Sequence, residues 1–394
     1  MTPAARTQAA IEILDQVIDA ARAGGAAGDT LIARYFATRR YAGSKDRRAV
    51  RELVYAAIRR AGEAPENGRA AMVGLARDDD AIAATFDGSP HGPAPIAADE
   101  PSSKAGTVPA WIGKRFKASE IGPAEAAALV ERAPLDLRVN VSRGGDPATL
   151  FADLGAKAIA GLPNALRLPS GTAIEATDAF RSGQVEVQDA GSQMVTLAAR
   201  VTPGMAVIDL CAGAGGKSLA LAAMMNNEGA ILATDTDRGR LSRLPPRAER
   251  AGASIIETRL LNPNTEAAAL ADWTARADVV LIDAPCSGTG TWRRNPEARW
   301  RLTPARIERL VDTQRRLLGV AVPLVKPGGA LVYIVCSLLD EEGADQLTHF
   351  LSAHPDWTAE PPIPFGRPRG AGVRLTPAHD QTDGFFVARL VRPC

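Results

Sequence analysis

From Gly204 to the end of the chain, apolar runs of strand length alternate with segments of helical period, and no other feature restricts the fold as much. The run MAVIDLC is followed by KSLALAAMM, AILATDT by a helical stretch through Arg250, and the weaker ASIIET by ADVVLIDAP. A helix is expected from Pro304 to about Val325, then a strand GALVYIVCS, a helix EEGADQLTHFLSAH and a last strand GFFVARLV. Strands that are apolar along their whole length are covered on both faces, and the helical segments between them can return the chain to the start of a parallel neighbour. The expected fold class is α/β, a doubly wound and mostly parallel sheet.

The first part of the chain reads differently. In AARTQAAIEILDQVIDAARAG, Ile11, Leu14, Val17 and Ile18 recur at helical spacing, and Gly24–Gly25 stops the segment. Two further helices are expected, broken at Gly43 with Ser44 as a cap. Residues 87–109 gather Pro90, Pro93, Pro95, Pro101 and Pro109 among Gly, Ser and Ala, as a loop or linker does. From about Leu135, LDLRVNV, NALRLP and GQVEVQD look like strands around a short helical DPATLFADLG. Three domains are expected: all-α over 1–130, a small α/β module over 131–183, and the alternating domain over 184–394.

The 394 residues carry a formal net charge of only +1, so no global excess announces a nucleic-acid partner. Locally, residues 1–60 hold eleven Lys or Arg against six Asp or Glu, and residues 293–316 hold eight Arg against three acids. Runs of this kind are ordinarily solvated helix faces. No apolar stretch approaches the roughly 18 residues of a membrane span, and the polar start has no secretory apolar core. A cytoplasmic protein without membrane contact is expected, with Cys211, Cys286, Cys336 and Cys394 as thiols. They form no CxxC pair, so neither zinc nor another metal is expected.

Open parallel sheets bind ligands beyond the carboxyl ends of their strands. Cys211, Cys286 and Cys336 all fall at such ends. A lone buried Cys is ordinarily a small core residue, but three at one rim is not what packing alone gives. The first strand runs into a loop made of Cys211, Ala212, Gly213, Ala214, Gly215, Gly216 and Lys217. Its glycines let backbone N–H groups approach a ligand at a helix N-terminus. Gly216, Lys217 and Ser218 nearly match a phosphate-binding loop, although the first glycine of that pattern falls on Cys211, and a nucleotide-binding ATPase is the rival reading. Asp235 lies nineteen residues beyond Gly216, a spacing at which an acid accepts hydrogen bonds from ribose hydroxyls. An adenosyl cofactor uses such an acid and a phosphate loop does not.

The ordered motifs DLCAGAGGK, DAPCSGTG and VYIVCSL resemble the RsmB/NOP/Sun family of RNA cytosine-C5 methyltransferases. QVEVQDAGSQ and DGFFVARL look like further family segments, and the N-terminal helices with RYAGSKDRRAVRELVY look like the NusB-like domain of its bacterial members. The resemblance implies a class I (Rossmann-like) methyltransferase domain using S-adenosylmethionine, held by residues 211–217, Asp235 and Asp283. It makes Cys336 the nucleophile and Cys286 the thiol that assists product release, and it sets Asp283 against the cofactor or the base. Lys217 either stabilises charge on the cytosine or caps the glycine loop. Beside the motif, Arg293, Arg294, Arg299 and Arg301 become candidates for RNA phosphate contacts. The chain departs from the family pattern at Ala214, where a Pro is usual, and at Val335, where a Thr is usual. The acid usual after the third strand is also missing, and Asn262 stands in for it.

The resemblance further implies RNA as partner, small-subunit (16S-type) ribosomal RNA first and tRNA second; oligomeric state is left open. A non-catalytic RNA-binding assembly factor is a further alternative, against which the two rim thiols argue.

Overall fold

The helical period at the start of the chain is realised as a set of packed helices. The computed structural model describes residues 1–394 and falls into two compact units. The first comprises Met1–Glu131 together with Thr291–Pro304, and the second Arg132–Gly290 together with Ala305–Cys394.

In the first unit the helix Pro3–Ala23 is capped by the Thr2 hydroxyl, which accepts from the Ala5 N–H at 3.1 Å, and it ends at Gly24 in the left-handed region. Helices Gly28–Ala37, Ser44–Arg60 and Gly68–Ala76 pack with it around Ile13, Leu14, Val17, Ile18, Val54, Ile58 and Met72. Ser44 is the first helical residue and Gly43 the cap, which makes no side-chain bond. The proline-rich stretch is fastened to this unit. The Ser103 N–H donates to the Ala70 carbonyl at 2.9 Å, the Gly106 N–H donates to the Arg60 carbonyl at 2.9 Å, and Arg69 pairs with Glu100 at 2.5 Å.

The second unit holds two sheets. The smaller is antiparallel, in the order β2-β3-β1-β4, from β1 (Leu135–Val139), β2 (Lys157–Ile159), β3 (Leu162–Leu168) and β4 (Val185–Val187). Its last strand lies beyond the boundary expected at residue 183. The sheet is also tied into the rest of the unit. Buried Asp136 accepts from Arg167 at 2.7 and 2.9 Å and from the Ala190 N–H at 3.0 Å, while Glu186 pairs with Arg247 at 2.9 Å and with Arg250.

The larger sheet contains β5 (Ala206–Asp209), β6 (Ala230–Asp235), β7 (Ile256–Leu260), β8 (Ala277–Asp283) and β9 (Val325–Val335), parallel in the order β7-β6-β5-β8-β9. Alternate residues of β8 and β9 face opposite clusters. Val280, Ile282, Leu331 and Tyr333 lie in one, and Val279, Leu281, Val332 and Ile334 in the other. Both faces are therefore buried, as the unbroken apolar runs require. Where one C-terminal strand was expected, the structure has four: β10 (Thr358–Glu360), β11 (Arg367–Arg369), β12 (Gly372–Leu375) and β13 (Phe385–Val391). β13 runs antiparallel between β9 and β12. Strand order reverses about β5 and β8, which puts their carboxyl ends at the switch point where such sheets bind ligands. No helix is long and apolar enough to cross a membrane.

Candidate active site

The loop leaving β5 supplies the first wall of the site. Gly213 and Gly215 have φ of 56° and 85°, a region that side chains strain to occupy. A Cβ at Gly213 would meet the Arg240 guanidinium at 2.5 Å, and one at Gly215 would meet Leu244 at 2.4 Å. The loop is therefore pressed from behind. On its other side nothing lies within 4 Å of where a Gly216 Cβ would stand, which leaves the helix N-terminus at Gly216 open to a ligand. At the position where a proline would have stiffened the turn, the Ala214 carbonyl accepts from Arg247 at 2.5 Å.

Acidic groups surround this loop. Asp235, at the end of β6, accepts from the Gly213 N–H at 2.8 Å and the Asp237 N–H at 2.7 Å, holding loop and strand end together. Asp209, at the end of β5, is fully buried and accepts from the Ser218 hydroxyl at 2.6 Å, while its second oxygen has no partner. Burial raises its pKa to about 7, opposed by the Ser218 bond and reinforced by the charge of Asp283. Asp283, the last residue of β8, forms an ion pair with Lys217 at 2.6 Å. Burial pulls the Lys217 ammonium down, but the Asp283 charge and hydrogen bond outweigh it and the net shift is upward, with the charge of Cys336 contributing. Asn262 sits two residues past β7, exposed on the same rim.

This set of groups fits S-adenosylmethionine. The carboxylates of Asp235 and Asp283 stand at the strand ends beside the loop, the unpartnered oxygen of Asp209 is a buried acceptor, and the glycine cradle is open at Gly216. The same set disfavours the ATPase reading. Triphosphate would approach the carboxylates of Asp235 and Asp283, and the lysine such a loop needs is already bound to Asp283.

The second wall is sulfur. Asp283 and Ile334 are partners across β8 and β9, so the two strands end level, and Cys286 and Cys336 follow them. Their Sγ atoms are 3.4 Å apart. The hydrogen bond to Cys336 pushes the Cys286 thiol well up, and burial and the charges of Cys336 and Glu342 add to it, so Cys286 holds its proton. Cys211 is likewise pushed well up, by burial first and then by the charge of Asp209.

The turns that carry these sulfurs are sewn together by residues that sequence reasoning did not single out. Glu342 is fully buried and accepts from the Ser287 N–H at 2.8 Å, the Ser287 hydroxyl, the Ser337 hydroxyl at 2.5 Å and Gln314 at 3.0 Å. Thr289 accepts from the Leu338 N–H at 2.9 Å, and the Gly290 N–H donates to the Cys336 carbonyl at 3.0 Å. One signal was present in the sequence: Cys-Ser occurs at the end of both strands, as Cys286-Ser287 and Cys336-Ser337.

Of the arginines beside the motif, Arg299 cannot take the phosphate-binding place expected of it, and the others are turned inward to different degrees. Arg299 is 0% exposed, and its terminal nitrogens donate to the carbonyls of Ile58 (2.6 Å), Arg59 (3.2 Å), Ala61 (2.8 Å) and Pro296 (3.0 Å). It closes the carboxyl end of the helix Ser44–Arg60. Arg301 donates to the Gly25 and Ala26 carbonyls, both at 2.6 Å. Arg293 is buried and Arg294 half-buried. Their segment belongs to the helical unit, not to the sheet that carries Cys286.

Residues 195–391 match the family described as 16S rRNA methyltransferase RsmB/F. The ribosomal RNA small subunit methyltransferase B of Xylella fastidiosa is 35% identical over 295 residues, an alignment covering 72% of this chain and 68% of that protein. This chain belongs to the RsmB/F methyltransferase family. The enzyme of the same name from Citrobacter koseri is 35% identical over 296 residues, and the alignment with this RsmB/F member spans 72% of this chain and 66% of that relative's length. NSun6 from Pyrococcus horikoshii, solved with SFG, superposes with a TM-score of 0.64 at 20% identity, covering 72% of this chain and 98% of that one, a likeness of fold.

Proposed function

We propose that this RsmB/F member is an S-adenosylmethionine-dependent RNA cytosine-C5 methyltransferase acting on 16S-type ribosomal RNA. The observation that carries this reading is the pair of thiols 3.4 Å apart at the level ends of β8 and β9, beside an acid-lined glycine loop. Cytosine C5 is a poor nucleophile until a thiolate adds at C6 and makes the ring enamine-like. Cys336 is the residue for that addition. Lys217, whose pKa its charge helps to raise, supplies a cation beside it. S-adenosylmethionine, when bound by residues 211–217, Asp235 and Asp283, supplies an electrophilic methyl group. Once C5 is alkylated, a base must take its proton, and the electron pair of that C–H bond re-forms the C5–C6 double bond as the Cys336 sulfur is expelled. Cys286, a protonated thiol in hydrogen-bond contact with that sulfur, stabilises it as it departs as thiolate. Asp283 keeps its side chain about one-third exposed while bound to Lys217, which leaves it able to meet the base or the cofactor. The names of the relatives favour small-subunit ribosomal RNA over tRNA.

The two sulfurs give the test. Cys336→Ala is expected to abolish methyl transfer and to form no covalent product. Cys286→Ala is expected to leave enzyme attached to RNA, visible as a retarded band on a denaturing gel with RNA and cofactor present. A retarded band from Cys336→Ala instead would reverse the assignment. Methylation of tRNA but not ribosomal RNA would overturn the substrate and leave the chemistry.

A further inference from the structure

We infer that Glu342 is a positioning residue that fixes the distance between the nucleophilic and release thiols, so that its loss uncouples product release from attack. The inference rests on the roles proposed for Cys336 and Cys286. A carboxylate with no solvent exposure needs donors for its lone pairs, and here three of the four come from the serines that follow the two cysteines. The fourth, Gln314, also donates to the Pro285 carbonyl at 2.9 Å, so the helix Pro304–Ala321 clamps the first turn from the other side. Ser287 and Ser337 hydroxyls lie 3.1 Å from each other, and the Tyr333 hydroxyl donates to the Glu342 carbonyl at 2.6 Å, fastening the clasp to β9 itself. A network this closed has one arrangement of its turns, and that arrangement holds the sulfurs at 3.4 Å. The negative charge of Glu342 also helps keep Cys286 protonated, the state its role requires.

Spacing of the sulfurs can be read without RNA or cofactor. With diamide, two thiols in contact give up two hydrogen atoms to its N=N bond, which becomes a hydrazine, as the S–S bond forms. In the full-length protein, the Cys286–Cys336 disulfide should close readily and be detected as a linked peptide pair by mass spectrometry. Glu342→Gln should slow closure on the order of tenfold through displacement of the turns. It should also lower kcat, leave KM for S-adenosylmethionine unchanged, and accumulate the covalent RNA complex that Cys286→Ala gives. Should Glu342→Gln fail to fold, the double variant Ser287→Ala/Ser337→Ala carries the same test, because it cuts the hydroxyl straps and keeps the carboxylate bonded to the Ser287 N–H and Gln314. Closure at the parent rate in a folded variant overturns the inference. Slowed closure in an enzyme that methylates no RNA would uphold the clasp and remove the proposed reaction.

Discussion

In the first sixty residues Arg34, Arg40, Lys45 and Arg48 stand exposed on the helices Gly28–Ala37 and Ser44–Arg60 and the turn that joins them, whereas in the equally basic stretch from 293 the side chain of Arg299 is wholly buried. Both regions show the same local excess of five positive charges in the sequence. In one the charges face water and are available to an anionic partner. In the other, Arg299 and Arg301 spend their N–H groups on carbonyls at the ends of helices. Clustered arginine therefore has two uses, and hydrogen-bond accounting of the helix ends separates them.

Arg299→Ala is the substitution that should break this contrast most visibly. It removes a buried cation, takes the arginine donor from the Ile58 carbonyl, leaves the Ala61 carbonyl with only the Trp300 indole N–H at 3.3 Å, and opens a cavity beside Trp300. A buried carbonyl that loses its donor costs about 1–3 kcal/mol, so urea unfolding should show a destabilised helical unit. The salt dependence of RNA binding by the folded fraction should not change. A stable Arg299→Ala protein with a lowered salt slope would return the residue to the RNA surface.

The exposed cluster should behave in the opposite way. Combining Arg40→Ala, Lys45→Ala and Arg48→Ala should leave stability within about 0.5 kcal/mol of the parent, as surface changes ordinarily do. RNA affinity should fall roughly ten- to a hundredfold at moderate salt, with the slope of log K against log salt reduced by about 0.7–0.9 for each phosphate that is no longer neutralised. Filter binding over a salt series measures both. An unchanged slope would mean that RNA is held elsewhere.

How much of this was legible follows from what kind of interaction each residue makes. The parallel strands β5 to β9 announce themselves, because burial on both faces forces unbroken apolar runs. β11 and β12 do not, since RPR and GVRL carry no run and exist as strands only by pairing with each other and with β13. Cys286, Cys336, Asp235 and the glycine loop could be named because strand ends mark the rim and their residue types carry chemistry. Glu342 could not, because in DEEG it is one acid among three, and only the fold turns it inward. Arg299 was misplaced for the same reason: composition reports charge and is silent on which way a side chain faces.

Asp209 extends the comparison to a buried charge of the other sign. Its folded pKa of about 7 lies above the usual carboxylate value, so between about pH 4 and pH 7 the folded state holds a proton that the unfolded chain has released. Stability from this group is present at low pH and is lost as pH rises through 7, by about 1 kcal/mol between pH 6 and pH 7. Asp209→Asn should flatten that part of the profile in thermal unfolding. A profile that stays the same would assign the titration to another group, with Glu342, also pushed up by burial, the next to examine.

Arg301 offers the smallest and sharpest test, because it lies between the two extremes. It is half-buried, and both of its bonds go to the Gly25 and Ala26 carbonyls at 2.6 Å, in the link between the helices Pro3–Ala23 and Gly28–Ala37. A partly solvated arginine bonded to neutral carbonyls contributes about 0.5–1.5 kcal/mol, since water replaces part of what is removed. Arg301→Ala should therefore lower stability by about 1 kcal/mol and leave the salt slope of RNA binding as it is. Arg301→Lys should recover little, because a single ammonium cannot hold two carbonyls in the fork geometry that a guanidinium provides. If Arg301→Ala instead weakened RNA binding with a slope change of about one neutralised phosphate, the residue would serve both uses. The division between inward and outward arginines would then fall within the segment Thr291–Pro304 and not between it and the exposed Arg306, Arg309 and Arg315 that follow.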